Sequence, residues 1–270
     1  MNKNIGFVGG GQMAEAIIKG LIHSNTCSSE TISVCEPLEA RRNYLAATYN
    51  LEVSATAKKI INISQIIVLA VKPQVMPEVL KEIKPTLEGQ MIITIAAGLP
   101  LSFYTGLLDN DRLPIVRVMP NTPALILQGA SALCRNEHVT DSDFILAESL
   151  FKAIGITVVV SEKGMDAVTG LSGSGPAYVF TFIEALIDAG IKTGLSRDVA
   201  RALTIQTILG TTLLARESTD HPAALRDRVT SPGGTTISGL HILEAAGFNG
   251  VIMSAVEAAC RRSTELGKTS

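Results

Sequence analysis

The residues best suited to chemistry lie in glycine-rich segments, and the first segment follows a short apolar run. Gly9, Gly11 and Ala14 satisfy the spacing G-x-G-x-x-A. The first glycine permits a tight turn, the second lets backbone approach a pyrophosphate, and alanine allows close packing of helix on strand. The N–H groups and the dipole at the helix start would hold the phosphates. The spacing therefore predicts a dinucleotide site built from Phe7, Val8, Gly9, Gly10, Gly11, Gln12, Met13 and Ala14.

The residues after the second apolar run bear on which dinucleotide binds. Glu36 ends that run, and an acidic side chain there accepts hydrogen bonds from the adenosine ribose, which favours NAD. Arg41 and Arg42 follow within two turns and could instead neutralise a 2′-phosphate, or could belong to a solvated helix face. The sequence predicts NAD(H) or NADP(H) as cofactor and leaves the choice between them open.

Two further apolar runs end at the same predicted crevice. In parallel sheets with helices on both faces, ligands bind outside the carboxyl ends of the strands. Small residues at 96–98 would let a nicotinamide ring or its ribose lie close to the backbone. Lys72 follows a fully apolar run and is well placed to meet cofactor or substrate. The cofactor residues predicted at these two ends are Ala70, Val71, Lys72, Pro73, Ile95, Ala96 and Ala97.

The second half of the chain carries two glycine-rich helix starts, at residues 172–176 and 231–236. Each would present N–H groups and hydroxyls at the positive end of a helix dipole, which suits an anion. Either segment alone is as easily an inter-helix turn, but two of them opposite a dinucleotide site favour a small carboxylate substrate. The predicted substrate-binding residues are Ser172, Ser174, Ser231, Gly233, Gly234, Thr235 and Thr236.

Histidine and cysteine give no sign of metal or hydrolytic chemistry. The four histidines are scattered, without an H-E-x-x-H pair, and the four cysteines have no C-x-x-C spacing. We therefore predict no metal site. An enzyme that oxidises an alcohol usually has a base such as His or Lys near the carbinol. No histidine falls in a site motif here, which fits the reduction of an imine better.

The elements that must position these residues follow from hydrophobic periodicity. Apolar runs at 5–8, 32–35, 66–71, 91–96, 115–119 and 156–160 alternate with helical patterns. This order predicts an α/β fold whose N-terminal part is a doubly wound, mostly parallel sheet. From residue 163 the strand-like runs stop and only helical patterns follow. We predict a dinucleotide-binding domain at 1–162 and a helical substrate-binding and dimerisation domain at 163–270.

The helical half has more apolar surface than a small domain can bury. Helices are predicted near 165–171, 176–193, 197–216, 235–246 and 249–266, and the second and third are apolar around much of their circumference. A helix that is apolar on most sides must be covered on most sides. These helices therefore predict a homo-oligomer whose interface lies in the helical domain.

Composition excludes several classes of partner. The chain of 270 residues is 46% hydrophobic and 18% charged, with a net charge of −2 and no basic stripe. It therefore lacks the electrostatic footprint of a nucleic-acid binder. Its N-terminus does not resemble a signal peptide, and no apolar run has the length needed to cross a bilayer. We expect a cytoplasmic protein with neither nucleic-acid nor membrane partners.

Taken together, five motifs resemble pyrroline-5-carboxylate reductases from end to end and in order. The first motif is shared by many dehydrogenases, whereas the last two are specific. They are Phe7-Val8-Gly9-Gly10-Gly11-Gln12-Met13-Ala14, Ala70-Val71-Lys72-Pro73, Arg117-Val118-Met119-Pro120-Asn121-Thr122-Pro123, Gly170-Leu171-Ser172-Gly173-Ser174-Gly175-Pro176-Ala177-Tyr178 and Ser231-Pro232-Gly233-Gly234-Thr235-Thr236-Ile237.

The resemblance implies a Rossmann-type domain followed by a helical domain that forms an intertwined homodimer, and such dimers often assemble into larger rings. It implies NAD(P)H-dependent reduction of Δ1-pyrroline-5-carboxylate to L-proline, the last step of proline biosynthesis. The substrate carboxylate would bind at 231–236, with the Thr236 hydroxyl, the catalytic group, close to the ring nitrogen. Asn121 and Pro123 would line the nicotinamide end. Family members often have Ser or Asn-type residues at Glu36 and an Asn at Ala57, so cofactor preference stays open.

Two alternatives belong to other functional classes. A β-hydroxyacid dehydrogenase also joins a Rossmann half to a helical half, but it would place a lysine on an active-site helix. Here Lys192 ends a predicted helix and Lys268 lies at the terminus. A non-catalytic NAD(P) sensor would need no second glycine-lined polar site, so the segments at 172–178 and 231–237 argue against it. The fold alone does not choose among these functions.

Overall fold

The computed structural model describes residues 3–268, and eight strands of these residues form one sheet. Six of the strands lie where apolar runs predict them. The two strands that run into glycine- or proline-bearing ends, at residues 66–71 and 91–96, leave the sheet two residues earlier than predicted. The strands are β1 Ile5–Val8, β2 Ile32–Cys35, β3 Glu52–Ser54, β4 Ile66–Leu69, β5 Met91–Thr94, β6 Ile115–Met119, β7 Gly129–Arg135 and β8 Gly155–Val159.

The order of strands across the sheet confirms the predicted doubly wound topology. The order is β3-β2-β1-β4-β5-β6-β7-β8, and every neighbouring pair is parallel except β6 with β7. β1 lies between β2 and β4, with Ile5 in register with Ile32 on one side and Ile66 on the other. From β1 the chain adds β2 and β3 on one side and then returns to add β4 and β5 on the other. The carboxyl ends of β1 and β4 flank the crevice at which such sheets bind ligands.

Two strands were not predicted from the sequence, for different reasons. β3 has only three residues, too few for a period of two to be visible. β7 has the sequence GASALCR, whose small residues have low strand propensity. It pairs antiparallel with β6 because a short 3₁₀ turn, Thr122–Ile126, joins the two strands where a parallel pair would need a full crossover.

Twelve α-helices lie among the described residues. The helices predicted from residue 176 onward are confirmed to within two residues at each end, whereas α10 was missed. The helices are α1 Gln12–His23, α2 Glu39–Tyr49, α3 Ala57–Asn62, α4 Met76–Ile83, α5 Leu101–Leu108, α6 Asp141–Lys152, α7 Met165–Val168, α8 Gly175–Lys192, α9 Arg197–Glu217, α10 Pro222–Arg228, α11 Thr235–Ala245 and α12 Phe248–Lys268. A π-helical segment, Thr169–Gly173, joins α7 to α8.

Helices cover both faces of the sheet, which explains the uninterrupted apolar strands. Phe7 belongs to the core on one face and its neighbour Val8 to the core on the other. Leu45 of α2 and Phe151 of α6 pack on the first face, and Tyr104 of α5 packs on the second. Because successive side chains point to opposite faces, a strand covered on both sides is expected to be mostly apolar along its length.

The chain forms two compact units. One contains the described residues up to Ser174 together with those from Glu257 onward, and the other is Gly175–Val256. The last turns of α12 therefore belong to the sheet-bearing unit. There Asp166 accepts hydrogen bonds from the hydroxyls of Ser263 (2.7 Å) and Thr264 (2.8 Å). Asp166 also lies 3.8 Å from the buried guanidinium of Arg117. The predicted domain boundary at residues 162–163 stays a prediction.

The helical unit, taken by itself, exposes many large apolar side chains. They lie on α8, α9, α11 and the first turns of α12. In the described part of the chain, no single helix combines the length and hydropathy of a membrane span. Only α11 and α12 taken together, bent by 50° at their junction, meet that criterion, and they do so by length and composition alone.

We predict that Gly155→Ala destabilises the sheet-bearing unit. Gly155 has a φ of +147°, and a Cβ there would overlap the backbone of Gly129 on β7. The strain and the displaced strand should lower the free energy of unfolding by about 1–3 kcal/mol. Gly106→Ala is the matched control, since Gly106 lies inside α5 and a Cβ there would meet no atom within 4 Å. That control should raise the free energy of unfolding by about 0.5–1 kcal/mol. Denaturant unfolding of both variants measures the difference, and equal stabilities would contradict the prediction.

Candidate functional site

The glycine loop between β1 and α1 is held tightly against its two neighbouring strands. Gly9 N–H donates to the Cys35 carbonyl at 2.8 Å, and Ala70 N–H donates to the Val8 carbonyl at 2.8 Å. Gly9 has a φ of +101°, and a Cβ there would lie 2.6 Å from the Ala70 carbonyl oxygen. Only glycine fits this position, because both the backbone angle and the neighbouring strand exclude a side chain.

The next part of the loop is open. Gly11 is exposed and is the N-cap residue of α1, and a Cβ on it would meet no protein atom within 4 Å. No side chain caps the start of α1. The first N–H groups of a helix have no acceptor within the helix and carry the positive end of its dipole. The loop therefore fits a phosphate group, as the G-x-G-x-x-A spacing predicts.

Glu36 lies beside the glycine loop, directly after β2. The residue is 8% exposed, and its Oε2 accepts a hydrogen bond from Gly10 N–H at 3.0 Å. Its Oε1 accepts a second hydrogen bond from Leu38 N–H at 2.9 Å. The backbone thus fixes the carboxylate next to the loop, at the position where the sequence predicts contact with a ribose.

A polar cluster that the sequence did not predict joins α1 to α2. Glu15 accepts hydrogen bonds from Arg41 (2.5 Å), from the Tyr44 hydroxyl (2.9 Å) and from the Tyr49 hydroxyl (2.8 Å). Partial burial acts to raise the pKa of Glu15, but these hydrogen bonds outweigh it and the pKa is lowered. Arg41 Nε also donates to the Gly10 carbonyl at 2.7 Å. The cluster therefore fastens α2 to the glycine loop.

The ends of β4 and β5 lie at the same edge of the sheet as the glycine loop, because β4 neighbours β1 and β5 neighbours β4. Of the residues predicted at these ends, only Ala96 is fully buried, and Lys72 is exposed. Phe7 also belongs to the core, so it can offer a ligand only its backbone. The half-buried members are Ala70, Val71, Pro73, Ile95 and Ala97.

Asn121 bridges two segments of the sheet-bearing unit. Its Oδ1 accepts a hydrogen bond from Ala130 N–H at 2.9 Å, and its Nδ2 donates to the Ser172 carbonyl at 3.2 Å. The side-chain amide thereby ties the start of β7 to the π-helical segment. Pro123, half-buried, lies in the first turn of the 3₁₀ helix that follows Asn121. The predicted contact of Asn121 and Pro123 with nicotinamide stays a prediction.

The first of the two glycine-rich segments is a distorted helix. Ser172 lies within the π-helical segment, and Ser174 N–H donates to the Thr169 carbonyl at 2.8 Å just after it. A Cβ on Gly173 would overlap the end of the Met119 side chain, so a larger residue there would make that side chain move. π-Helical turns within α-helices occur often at functional sites. Both serines are half-buried and belong to the sheet-bearing unit.

The second glycine-rich segment is a helix start in the helical unit. Gly234 is the N-cap residue of α11 and has no side-chain cap, and its N–H donates to the Ser231 carbonyl at 3.1 Å. Gly233 has a φ of +66°, which closes the turn. Thr236 is half-buried, whereas Ser231 and Thr235 are exposed. The predicted helix start is confirmed, and its binding of a carboxylate stays a prediction.

Within residues 3–268, no group of three or more His, Cys, Asp or Glu side chains is arranged to hold a metal ion.

Two family models match the chain. Residues 162–266 match the model described as pyrroline-5-carboxylate reductase dimerisation. Residues 4–98, which include the glycine loop and Glu36, match the model described as NADP oxidoreductase coenzyme F420-dependent.

Proteins that match along nearly their whole length are named pyrroline-5-carboxylate reductase or pyrroline carboxylate reductase. The pyrroline-5-carboxylate reductase of Synechocystis sp. is 47% identical, and the match covers 99% of this chain and 100% of the relative. The structure of the Plasmodium falciparum pyrroline carboxylate reductase with NADP bound has a TM-score of 0.90 at 37% identity, covering 98% of each chain. The Coxiella burnetii pyrroline-5-carboxylate reductase has a TM-score of 0.92 at 35% identity, covering 98% of this chain and 99% of that structure.

Proposed function

Since the chain belongs to the pyrroline-5-carboxylate reductase family, we infer that it is an NAD(P)H-dependent oxidoreductase that reduces Δ1-pyrroline-5-carboxylate to L-proline. The observation that carries this inference is the match along the whole length of the chain, at 47% identity, to a relative of that name. The glycine loop supports it independently, because its spacing and its open helix start suit a dinucleotide.

We propose that the sheet-bearing unit holds the cofactor. The helix start at Gly11 would hold the pyrophosphate and Glu36 the adenosine ribose. The ends of β4 and β5 would face the nicotinamide half, with Asn121 and Pro123 at the nicotinamide end. The bound cofactor supplies the hydride. The remaining proposed cofactor residues are Phe7, Val8, Gly9, Gly10, Gln12, Met13, Ala14, Ala70, Val71, Lys72, Pro73, Ile95, Ala96 and Ala97.

We propose that the substrate carboxylate binds at residues 231–236 of the helical unit. Ser172 and Ser174 of the sheet-bearing unit are proposed as further substrate-binding residues. The support for this is that the start of α11 has no side-chain cap, and its exposed hydroxyls and N–H groups suit a small anion. The Thr236 hydroxyl would hydrogen-bond the ring nitrogen and help keep it protonated while the imine carbon is reduced. Fixing the ring in one orientation supplies much of the rate enhancement through proximity.

The experiment that tests the activity is a reduction assay with purified protein. We expect loss of reduced-nicotinamide absorbance in the presence of Δ1-pyrroline-5-carboxylate, with proline as product. Folded protein that binds a dinucleotide but turns over with neither NADH nor NADPH would overturn the reductase assignment. That result would favour the non-catalytic NAD(P) sensor, an alternative for which the structure offers no separate support.

The β-hydroxyacid dehydrogenase alternative has no such support either. It requires a lysine on an active-site helix, and the two lysines considered for that role are the last residues of their helices. Lys192 ends α8 and Lys268 ends α12, and both are exposed. Turnover of a β-hydroxyacid with no activity on the cyclic imine would restore this alternative.

We propose that the chain forms a homodimer through the helical unit and that such dimers assemble into larger rings. The support is the matched dimerisation model and the exposed apolar surface of that unit. A cytoplasmic location is proposed as well, supported by four cysteines that form no disulfide.

The dimer predicts a mass in solution of at least twice the 28.5 kDa of one chain. Light scattering on the eluting protein measures this mass. Phe180→Glu should lower it towards that of one chain, because the variant would bury a charge in the proposed interface. Ile145→Glu is the matched control, since Ile145 of α6 is 65% exposed and Phe180 is 66% exposed. A single-chain mass for the unmodified protein at micromolar concentration would contradict the proposal.

A further inference from the structure

The negative charge of Glu36 is fixed where the adenosine ribose is proposed to bind. Both carboxylate oxygens accept backbone hydrogen bonds, from Gly10 and Leu38, and these hold the side chain beside the glycine loop. A carboxylate has about four acceptor positions, and two of these remain after the backbone bonds. They can accept hydrogen bonds from ribose hydroxyls. A 2′-phosphate in the same place would set like charges against each other.

Arg41, a cation beside the glycine loop, already donates hydrogen bonds to protein oxygens. Its Nε donates to the Gly10 carbonyl at 2.7 Å and its Nη2 to Glu15 at 2.5 Å and to the Gly11 carbonyl at 3.4 Å. These two nitrogens form one edge of the guanidinium, the kind of edge that pairs bidentately with a phosphate. The guanidinium also lies 5.1 Å from the centre of the Tyr44 ring. Arg41 therefore stabilises the loop, and the guanidinium edge that would pair bidentately with a phosphate is already bonded to the protein.

Glu15 is in turn held in place by two tyrosines. The hydroxyls of Tyr44 and Tyr49 both donate to its Oε1, while its Oε2 accepts from Arg41. The second arginine on α2 is also engaged, because Arg42 Nη1 donates to the carbonyls of Glu36 (2.8 Å) and Pro37 (2.6 Å). Each of the two arginines that could have neutralised a 2′-phosphate is thus bonded to the protein itself.

We propose that this chain selects NAD(H) over NADP(H), with Glu36 as the discriminating charge and Glu15 as the residue that keeps Arg41 from a 2′-phosphate. The proposal rests on the dinucleotide site proposed above and specifies its adenosine end. It combines an attractive contact for the ribose with a repulsive one for the phosphate, as selective sites commonly do.

Calorimetric titration of NAD⁺ and NADP⁺ onto the complete protein, without substrate, tests the proposal. We expect the unmodified protein to bind NAD⁺ at least ~10-fold more tightly than NADP⁺. Glu36→Ser should tighten NADP⁺ binding by at least ~10-fold, because it removes the opposing charge. Adding Glu15→Gln to Glu36→Ser should tighten it by a further ~3-fold, since Arg41 loses its charged partner.

Glu52→Gln is the matched control for these variants. It also removes one negative charge from the sheet-bearing unit, but Glu52 lies on β3 and pairs with Lys59 at 2.9 Å. The ratio of the NAD⁺ and NADP⁺ affinities should therefore stay unchanged.

Equal or tighter binding of NADP⁺ by the unmodified protein would overturn the preference. A Glu36→Ser variant that loses both affinities equally would overturn the role of Glu36. Folded protein that binds neither dinucleotide would overturn the proposed cofactor site as well. The titration measures binding and needs no turnover. It therefore tests the cofactor preference even if the protein fails the reductase assay.

Discussion

Gly11→Ala should leave the protein folded and remove most of its affinity for the dinucleotide. A Cβ on Gly11 would meet no protein atom within 4 Å, and its φ of −67° suits alanine. The added methyl would stand where the pyrophosphate has to approach the backbone. Losing two charge-assisted hydrogen bonds, each contributing about 1.5–3 kcal/mol, should raise the dissociation constant at least ~100-fold. Titration of the cofactor measures the affinity, and thermal unfolding shows that the fold is intact.

Gly9→Ala is the comparison that separates binding from folding. Here the methyl would press on the Ala70 carbonyl, and the φ of +101° disfavours any side chain. We expect this variant to lose stability as well as cofactor affinity, because the chain that follows β1 must move away from the end of β4. If Gly11→Ala retained full affinity while remaining folded, the phosphate would not bind at this helix start.

The parts of the site that the sequence predicted depend on short stretches of chain. The spacing of Gly9, Gly11 and Ala14 specifies a turn and a helix start, and both are set by backbone geometry within six residues. The position of Glu36 follows in the same way from the end of an apolar run. The mostly parallel sheet, in turn, follows from the rule that alternating strands and helices build such a sheet.

The parts that were missed depend on contacts between distant segments. Glu15 gives no signal in the sequence that it will bind Arg41 and two tyrosines of α2, since only the packing of α1 against α2 brings them together. Asn121 likewise shows its bridging of Ala130 and Ser172 only once β7 is in place. β7 itself was missed because its small residues give no apolar alternation.

Thr236→Ala should reduce kcat/KM for the cyclic imine without unfolding the protein. Thr236 lies in the first turn of α11, and its side chain forms no cap of that helix. Its proposed partner is the protonated ring nitrogen of the substrate. One hydrogen bond to a charged group contributes about 1.5–3 kcal/mol, so the loss should be about 10- to 150-fold. Steady-state assays measure the loss, and dinucleotide titration should give an unchanged affinity because the cofactor site is proposed in the other unit.

Two conservative variants show whether the hydroxyl itself is responsible. Thr236→Ser keeps the hydroxyl and should retain most of kcat/KM, whereas Thr236→Val keeps the shape and should behave like the alanine variant. If the hydroxyl assists protonation of the nitrogen, the deficit of the alanine and valine variants should grow as pH rises and the imine loses its proton. A uniform deficit at every pH would indicate that Thr236 only positions the ring. An unchanged rate in Thr236→Ala would remove the residue from the site, and the hydroxyls of Ser231 and Thr235 would then be the remaining candidates in this segment.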